Sequence, residues 1–330
     1  TPNWSSGANS GNCGLHGRPP SCHTNEMRIL VTGGCGYIGS TTARLLAKSD
    51  HEVMVVDDLS EGHRQAWPGA LEIFDLRDAS AVQSFAAANP VDGIVHFAAR
   101  AYVGESVAQP LRYWRANLVP VLNLCEAFPG TPFVFSSSCA TYGQPTTARL
   151  DESLPLAPLN PYGATKAAAE RLLQDRADAG QGAFVALRYF NAAGAAAGGH
   201  HGEHHQPENH LIPRAVMAAL GRLAEGLQVF GTDWNTPDGT NIRDYVHVAD
   251  LAEAHVLALD YLFDDQPSTV LNLGTGRGYS VLEIIRAVEE ATSQAVPWTA
   301  APRRAGDPAE LVADATRAFE MLGWQAEHSA

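Results

Sequence analysis

The chain has 330 residues, 45% of them hydrophobic and 18% charged, with a formal charge of −14. That balance describes a globular chain with room for about two domains and excludes a disordered one. The acidic surplus argues against nucleic acid or an anionic membrane as partner, and no apolar run reaches the roughly 20 residues of a membrane span.

Residues 1–26, "TPNWSSGANSGNCGLHGRPPSCHTNE", are rich in Ser, Gly, Asn and Pro. They show no apolar periodicity and no signal-peptide core, and read as a disordered extension, native or added. The folded unit is expected to start at Met27. The five cysteines, Cys13, Cys22, Cys35, Cys125 and Cys139, are odd in number and lack CxxC spacing. They suit a reducing cytoplasm better than a disulfide framework or a zinc site.

From Met27 the pattern becomes regular. "RILVTGG" reads as a strand, "YIGSTTARLLAKS" as a helix and "HEVMVVDD" as a second strand, which together make a βαβ unit. The turn between the first two reads as Gly34-x-Gly36-x-x-Gly39 or as Gly33-x-x-Gly36-x-x-Gly39. Either spacing gives a tight turn, close approach of backbone to a pyrophosphate and close helix–strand packing, with the helix N-terminus facing the phosphates. Asp57 ends the second strand at about the 20-residue distance of a ribose-binding acid. A carboxylate there accepts from a 2′-hydroxyl and repels a 2′-phosphate, so the expected cofactor is NAD rather than NADP.

Further strands are expected at "LEIFDL", "GIVHFAA", "FVFSSS" and "AFVALRYFN", alternating with helical runs such as "AVQSFAAA" and "VPVLNLCEA". The alternation predicts an α/β fold: a Rossmann-type doubly wound parallel sheet over residues 27–190. Ligands of such sheets lie beyond the carboxyl ends of the strands. Those ends carry Asp75, Phe97-Ala98-Ala99, Ser136-Ser137-Ser138 and Asn191.

"NPYGATK" follows at 160–166. Asn160 and Pro161 open a helix, which places Tyr162 and Lys166 on one face. Tyr-x-x-x-Lys is common by chance. A neighbouring ammonium and a cationic nicotinamide both favour phenolate, however, and Ser138 ends a strand at the same edge. Serine, tyrosine and lysine beside a nicotinamide are the parts needed to oxidise an alcohol.

"VTGGCGYIG", "HFAARAYVGESV", "FVFSSSCATYG", "NPYGATK", "LRYFNAAGA", "RDYVHVADLAEAH" and "RRAGDPAELVAD" together resemble the extended short-chain dehydrogenases/reductases, most specifically the UDP-glucose 4-epimerase family. The resemblance runs from Met27 to about Trp324. It implies reversible oxidation at C4 of UDP-glucose and UDP-galactose, with tightly bound, regenerated NAD and with Tyr162, Lys166 and Ser138 as the catalytic group. It implies NAD contacts at Gly33, Gly36, Tyr37, Ile38, Gly39, Asp57, Asp75, Leu76, Phe97, Ala98, Ala99, Asn117, Ser136, Tyr162, Lys166 and Tyr189. It further implies a smaller α/β UDP-sugar domain over 191–330, whose segment near 242–262 packs back on the first. Asn191, Asn209, His210, Phe230, Arg243, Arg304, Asp307 and Leu311 then join Ser138 and Tyr162 around the substrate, and a homodimer is implied through helices containing Asn117 and Lys166.

Two departures stand out. Ala101 occupies a position where some relatives carry a phosphate-contacting lysine. Cys139-Ala140 stands where sugar-nucleotide dehydratases carry Asp-Glu, so water elimination is not expected. "GGHHGEHHQPENHLIP" gathers His200, His201, His204, His205 and His210, but matches no recognised ligand spacing, so no metal is expected. The alternative functions are 4-epimerisation of another UDP sugar (pentose, uronate or N-acetylhexosamine) and a non-catalytic NAD-sensing regulator.

Overall fold

The computed structural model describes residues 26–328 except 146, 148, 197, 198, 200, 305 and 306; the expected N-terminal extension, all but Glu26, and His200 lie outside the described residues. β1 (Arg28–Thr32), α1 (Tyr37–Lys48) and β2 (Glu52–Asp57) form the first βαβ unit. β3 (Leu71–Ile73), α2 (Ala79–Ala88), β4 (Gly93–His96), α3 (Val103–Ala108), α4 (Pro110–Ala127) and β5 (Phe133–Ser138) continue the alternation. The short β6 (Arg149–Leu150) precedes α5 (Pro161–Asp178), β7 (Phe184–Tyr189) and β8 (Asn191–Ala193). Then come α6 (Leu211–Ala219), β9 (Leu227–Phe230), β10 (Ile242–His247), α7 (Val248–Phe263) and β11 (Thr269–Leu273). β12 (Gly278–Ser280), α8 (Val281–Thr292), β13 (Trp298–Ala301), β14 (Glu310–Ala313) and α9 (Thr316–Leu322) complete the chain.

Seven of these strands form one parallel sheet in the order β11-β7-β5-β4-β1-β2-β3. The strand order reverses between β1 and β4, which leaves a crevice at their carboxyl ends. Side-chain alternation splits the core into two layers. Ile29, Val31, Val53 and Val55 pack with α1 and with Leu251, Leu259 and Leu262 of α7 on one face. Leu30, Val56, Ile94, Phe133 and Phe135 pack with Val82, Val121, Leu124, Ala169 and Leu173 of α2, α4 and α5 on the other. A sheet covered on both faces has no polar side, which is why its strands read as near-continuous apolar runs.

The helices start where the chain supplies oxygen acceptors for their free N–H groups. Asp78 accepts from the N–H of Ser80 and Ala81 at the head of α2, and Asn160 from that of Gly163, 2.9 Å away, at the head of α5. Ser280 and Glu283 close a capping box on α8.

After β7 the chain builds smaller sheets. β12, β10, β14 and β6 pair in that order, with β8 alongside β10, and β9 pairs with β13. α6, β9 and α8 close over Ala215, Leu227, Val229, Ile285 and Val288 as a core of their own. The chain also crosses back. α7 packs on the α1 face, and β11 adds the seventh strand beside β7, so residues 248–273 belong with the large sheet although they follow residue 190. No helix of the described residues is long and apolar enough to cross a membrane.

Candidate active site

The carboxyl ends of β1, β2, β4, β5 and β7 open into one continuous cleft of about 1790 Å³. A single small molecule needs roughly 300–1,000 Å³, so the space suits two.

The glycine turn lies at one end. Gly33 has a φ of +70°, and a Cβ there would sit 2.6 Å from the Ala98 nitrogen; one on Gly39 would sit 2.2 Å from the Gly33 oxygen. Both glycines are therefore required by the protein itself. Gly36 differs: a Cβ on it would meet only the Gly33 oxygen, at 3.3 Å, and Gly36 lines the cleft. Its side-chain volume is kept free for whatever occupies the cleft. No side chain caps α1, and its first residues Tyr37 and Ile38 line the cleft, so their N–H groups are left for a ligand. This cradle fits a dinucleotide pyrophosphate.

Asp57 lines the same end and is 7% exposed. Its oxygens accept from the N–H of Cys35 at 2.9 Å and of Leu59 at 2.8 Å. Burial raises its pKa and those two bonds oppose the rise. Asp75, Leu76, Phe97, Ala98 and Ala99 also line the cleft, with the Asp75 carboxylate paired to Arg77 at 2.6 Å.

Deeper in, Ser138 ends β5 and Tyr162 is the second residue of α5, and both reach the cleft. Burial pushes the Tyr162 phenol well above its ordinary pKa, the nearby Tyr189 adds to this, and a hydrogen bond with Ser138 opposes it. Lys166 lies one turn further along α5, behind the cleft wall. Its Nζ donates to the Ser136 carbonyl at 2.6 Å and lies 4.8 Å from the centre of the Phe135 ring. Burial brings its ammonium down to about 7 and Glu170 partly resists. Glu170 is itself fixed by Arg188, at 2.6 Å, and by the Ser137 hydroxyl.

Three expected cofactor contacts, Lys166, Ser136 and Asn117, are buried behind this wall. The Ser136 hydroxyl bonds the Tyr189 hydroxyl at 2.7 Å, and Tyr189 lines the cleft. The Asn117 amide accepts from the N–H of Arg100 at 2.8 Å and donates to the Arg100 carbonyl and the Thr165 hydroxyl, both at 3.0 Å. It ties the loop after β4 to α5 and so holds Tyr162 in place.

The far end is cationic despite the acidic total. Alternation on β10 aims Arg243 and Tyr245 into the cleft, while Asp244, fully buried, accepts from the backbone of Thr275, Gly276 and Ala313. Arg243 donates to the carbonyls of Ile242 at 2.7 Å and Pro308 at 2.9 Å, and its Nη2 is 3.7 Å from Asp307. Arg304 stacks 3.9 Å from the Phe230 ring centre. Burial lowers both guanidinium pKa values, with Asp307 opposing. Asn191, Asn209, His210, Asp307 and Leu311 line this end too. Sequence reading missed Arg214, which lines the cleft from α6. Its signal was its place four residues after His210 on a helix that starts there.

A model of the NAD dependent epimerase/dehydratase family matches residues 29–274. The chain belongs to that family. A UDP-glucose 4-epimerase of Rhizobium meliloti (strain 1021) is 47% identical over 305 residues, which is 91% of this chain and 92% of that one. Another, from Lactobacillus helveticus, is 43% identical over 309 residues, covering 92% and 93%. The crystal structure of UDP-glucose 4-epimerase from Brucella ovis in complex with NAD superposes with a TM-score of 0.88, at 46% identity, over 92% of this chain and 94% of that one. The Bifidobacterium longum enzyme in complex with NAD+ and UDP gives a TM-score of 0.86 at 38% identity, over 92% and 94%. The Rossmann-like sheet and the NAD cradle of this epimerase/dehydratase chain thus agree with the family to which its sequence assigns it.

Proposed function

We propose that the protein interconverts UDP-glucose and UDP-galactose by 4-epimerisation, retaining NAD through each turnover. The observation that carries this is the position of the Ser138–Tyr162 pair. It lies in one cleft between a glycine cradle for a dinucleotide and the arginines Arg243 and Arg304. Relatives of similar length, and alike over nearly all of it, carry the same activity in their names.

When bound, NAD supplies reversible hydride acceptance, so a carbinol can become a ketone and be reduced again on its opposite face. The chain supplies the rest. Tyr162 removes the proton of the 4-hydroxyl while Ser138 holds that oxygen, and Tyr162 returns the proton when the ketone is reduced. Burial keeps the phenol neutral, so its ionisation would depend on nearby positive charge, which Lys166 one turn along α5 and a bound oxidised nicotinamide would supply. Arg243 and Arg304 grip the diphosphate by charge-assisted hydrogen bonds. A firm grip there leaves the hexose free to turn over between the two half-reactions. Cys139, beside Ser138, has its thiol pushed up to about 12 by burial and offers no acid or base for water elimination. The direct test is to incubate the purified protein with UDP-galactose, without added NAD, and to measure UDP-glucose. No conversion by protein that contains dinucleotide would overturn the proposal.

Leu311 decides between this reading and an N-acetyl-sugar epimerase. It sits in the cleft beside Tyr142, Leu150 and Phe190, with its Cα in register with Arg243. An acetamido group would meet an apolar branch and leave a buried amide unpaired, at about 1–3 kcal/mol. The plain hexoses should therefore be preferred by roughly 5- to 150-fold in kcat/KM. Leu311→Ser should narrow the preference, and Leu311→Tyr should abolish N-acetyl activity. Equal kcat/KM for both sugars in the unaltered protein would remove Leu311 as the gate.

The same reading includes a two-fold dimer. α4 leaves Leu111, Trp114 and Leu122 exposed, an apolar face suited to a second copy. Light scattering should return twice the chain mass, and a monomer at micromolar concentration would count against it. The free thiols of Cys35, Cys125 and Cys139 favour a cytoplasmic location.

A further inference from the structure

The loop before α6 carries a cluster of which the expected substrate site includes only His210. Glu203, His205, Glu208 and His210 each offer one ligand-type atom, and those four atoms lie within 4.8 Å of one another. His205 Nδ1 is 3.4 Å from Glu203 Oε1 and 3.5 Å from Glu208 Oε2. His210 Nδ1 is 2.7 Å from Glu203 Oε1 and 3.2 Å from Glu208 Oε1. A tetrahedral ion with bonds of about 2.0–2.1 Å separates its ligand atoms by about 3.4 Å. The His205–Glu203, His205–Glu208 and His210–Glu208 spacings fall close to that value, the last two to different oxygens of Glu208, and His210–Glu203 is shorter.

A hydrogen-bonded cluster explains the arrangement less well. His205 Nδ1 is buried and has no hydrogen-bond partner, although two carboxylates flank it. A buried nitrogen 3.4–3.5 Å from two carboxylate oxygens calls for either a proton or a cation between them. The carboxylate side chains are only 10% and 8% exposed, so two like charges sit together out of water. One divalent cation resolves both problems, since it neutralises the pair and occupies the orphaned nitrogen.

We infer that Glu203, His205, Glu208 and His210 form a structural site for one zinc ion. Two imidazole nitrogens argue against calcium and magnesium, which take oxygen ligands, and two nitrogens with two carboxylates are a donor set zinc accepts. Four protein ligands close the coordination shell, so the ion activates no water. The surroundings are built to orient the ligands. Glu208 accepts from the N–H of Asn209 at 2.8 Å and of His210 at 2.9 Å, and the Tyr102 ring lies 5.9 Å from His205 and 6.0 Å from His210.

The site has a consequence for the cleft. The Glu208 carbonyl accepts from Arg214 Nη1 at 3.2 Å, and the adjacent His204 Nδ1 meets His63 Nε2, on the cofactor side, at 2.9 Å. An ion at this point fixes the loop that joins the two ends of the cleft.

The test uses the full chain, purified without metal-affinity chromatography, because His16 and His23 near the N-terminus could also bind metal. Protein stripped with EDTA is titrated with zinc, its metal content is measured by mass spectrometry, and its melting is followed with and without the ion. The inference requires one zinc per chain, a Tm that rises on zinc addition, and intense cobalt(II) bands of tetrahedral type on substitution. His205→Ala/Glu208→Gln should lose both the stoichiometric zinc and the Tm rise; Glu203→Gln serves the same purpose if the double variant does not fold. Zinc uptake equal in wild type and variants, or no stoichiometric uptake by wild type, would overturn it.

Discussion

Tyr162→Phe is expected to lower kcat by about 10²–10⁴-fold while leaving the dinucleotide content of the purified protein unchanged, because it removes one oxygen and the proton transfer that depends on it. The ring itself stays in a site that is 8% exposed, so packing is preserved. Removing a phenol whose ionisation burial already opposes should not destabilise the fold. Lys166→Ala should also slow turnover, by a different route. The Ser136 carbonyl loses the donor at 2.6 Å, and the phenol loses the cation behind it. Measuring kcat beside the NAD released on denaturation separates the two effects. Turnover by Tyr162→Phe within a few-fold of wild type would end the proposed role of the phenol.

The sequence was most informative where function rests on local chain geometry. The glycine turn, Asp57 at the end of the second strand and the Asn160-Pro161 helix start are each set by residues near in sequence, and the structure builds a strand, cap or turn at each. Alternating strands and helices likewise led to a parallel sheet. What stayed hidden depends on contacts between distant residues. β6 has two residues and exists only by pairing with β14, more than 160 positions away. β11 joins the large sheet beside β7 because their registers match, a match that no local pattern encodes. Asn117 and Lys166 were expected at the site, but only the packed structure shows that both are buried behind its wall. The loop of Glu203 to His210 matched no ligand spacing, since Glu203, His205, Glu208 and His210 come together only once the loop is folded against Tyr102.

The three glycines of the cradle should separate folding from cofactor binding, and Gly36→Val is the decisive change. At Gly39 an added Cβ would lie 2.2 Å from the Gly33 oxygen, and at Gly33 it would lie 2.6 Å from the Ala98 nitrogen on a backbone with φ of +70°. Gly39→Ala and Gly33→Ala should therefore damage the fold before any ligand is considered. Gly36 has extended backbone, φ −79° and ψ 174°, which valine adopts without strain. Its Cβ would meet only the Gly33 oxygen, at 3.3 Å, an approach that a few tenths of an ångström relieves. The valine branches would then occupy cleft volume beside the free N–H groups at the head of α1. Loss of two charge-assisted hydrogen bonds to a phosphate, about 1.5–3 kcal/mol each, lowers affinity by roughly 10²–10⁴-fold. Gly36→Val should consequently melt cooperatively near the wild-type apoprotein, purify without dinucleotide and show no activity until NAD is added in large excess. Gly39→Ala should instead give poorly folded protein whatever NAD is supplied. A Gly36→Val protein that purifies with a full complement of NAD would mean that the pyrophosphate does not sit over this turn, and the cradle would have to be placed elsewhere in the cleft.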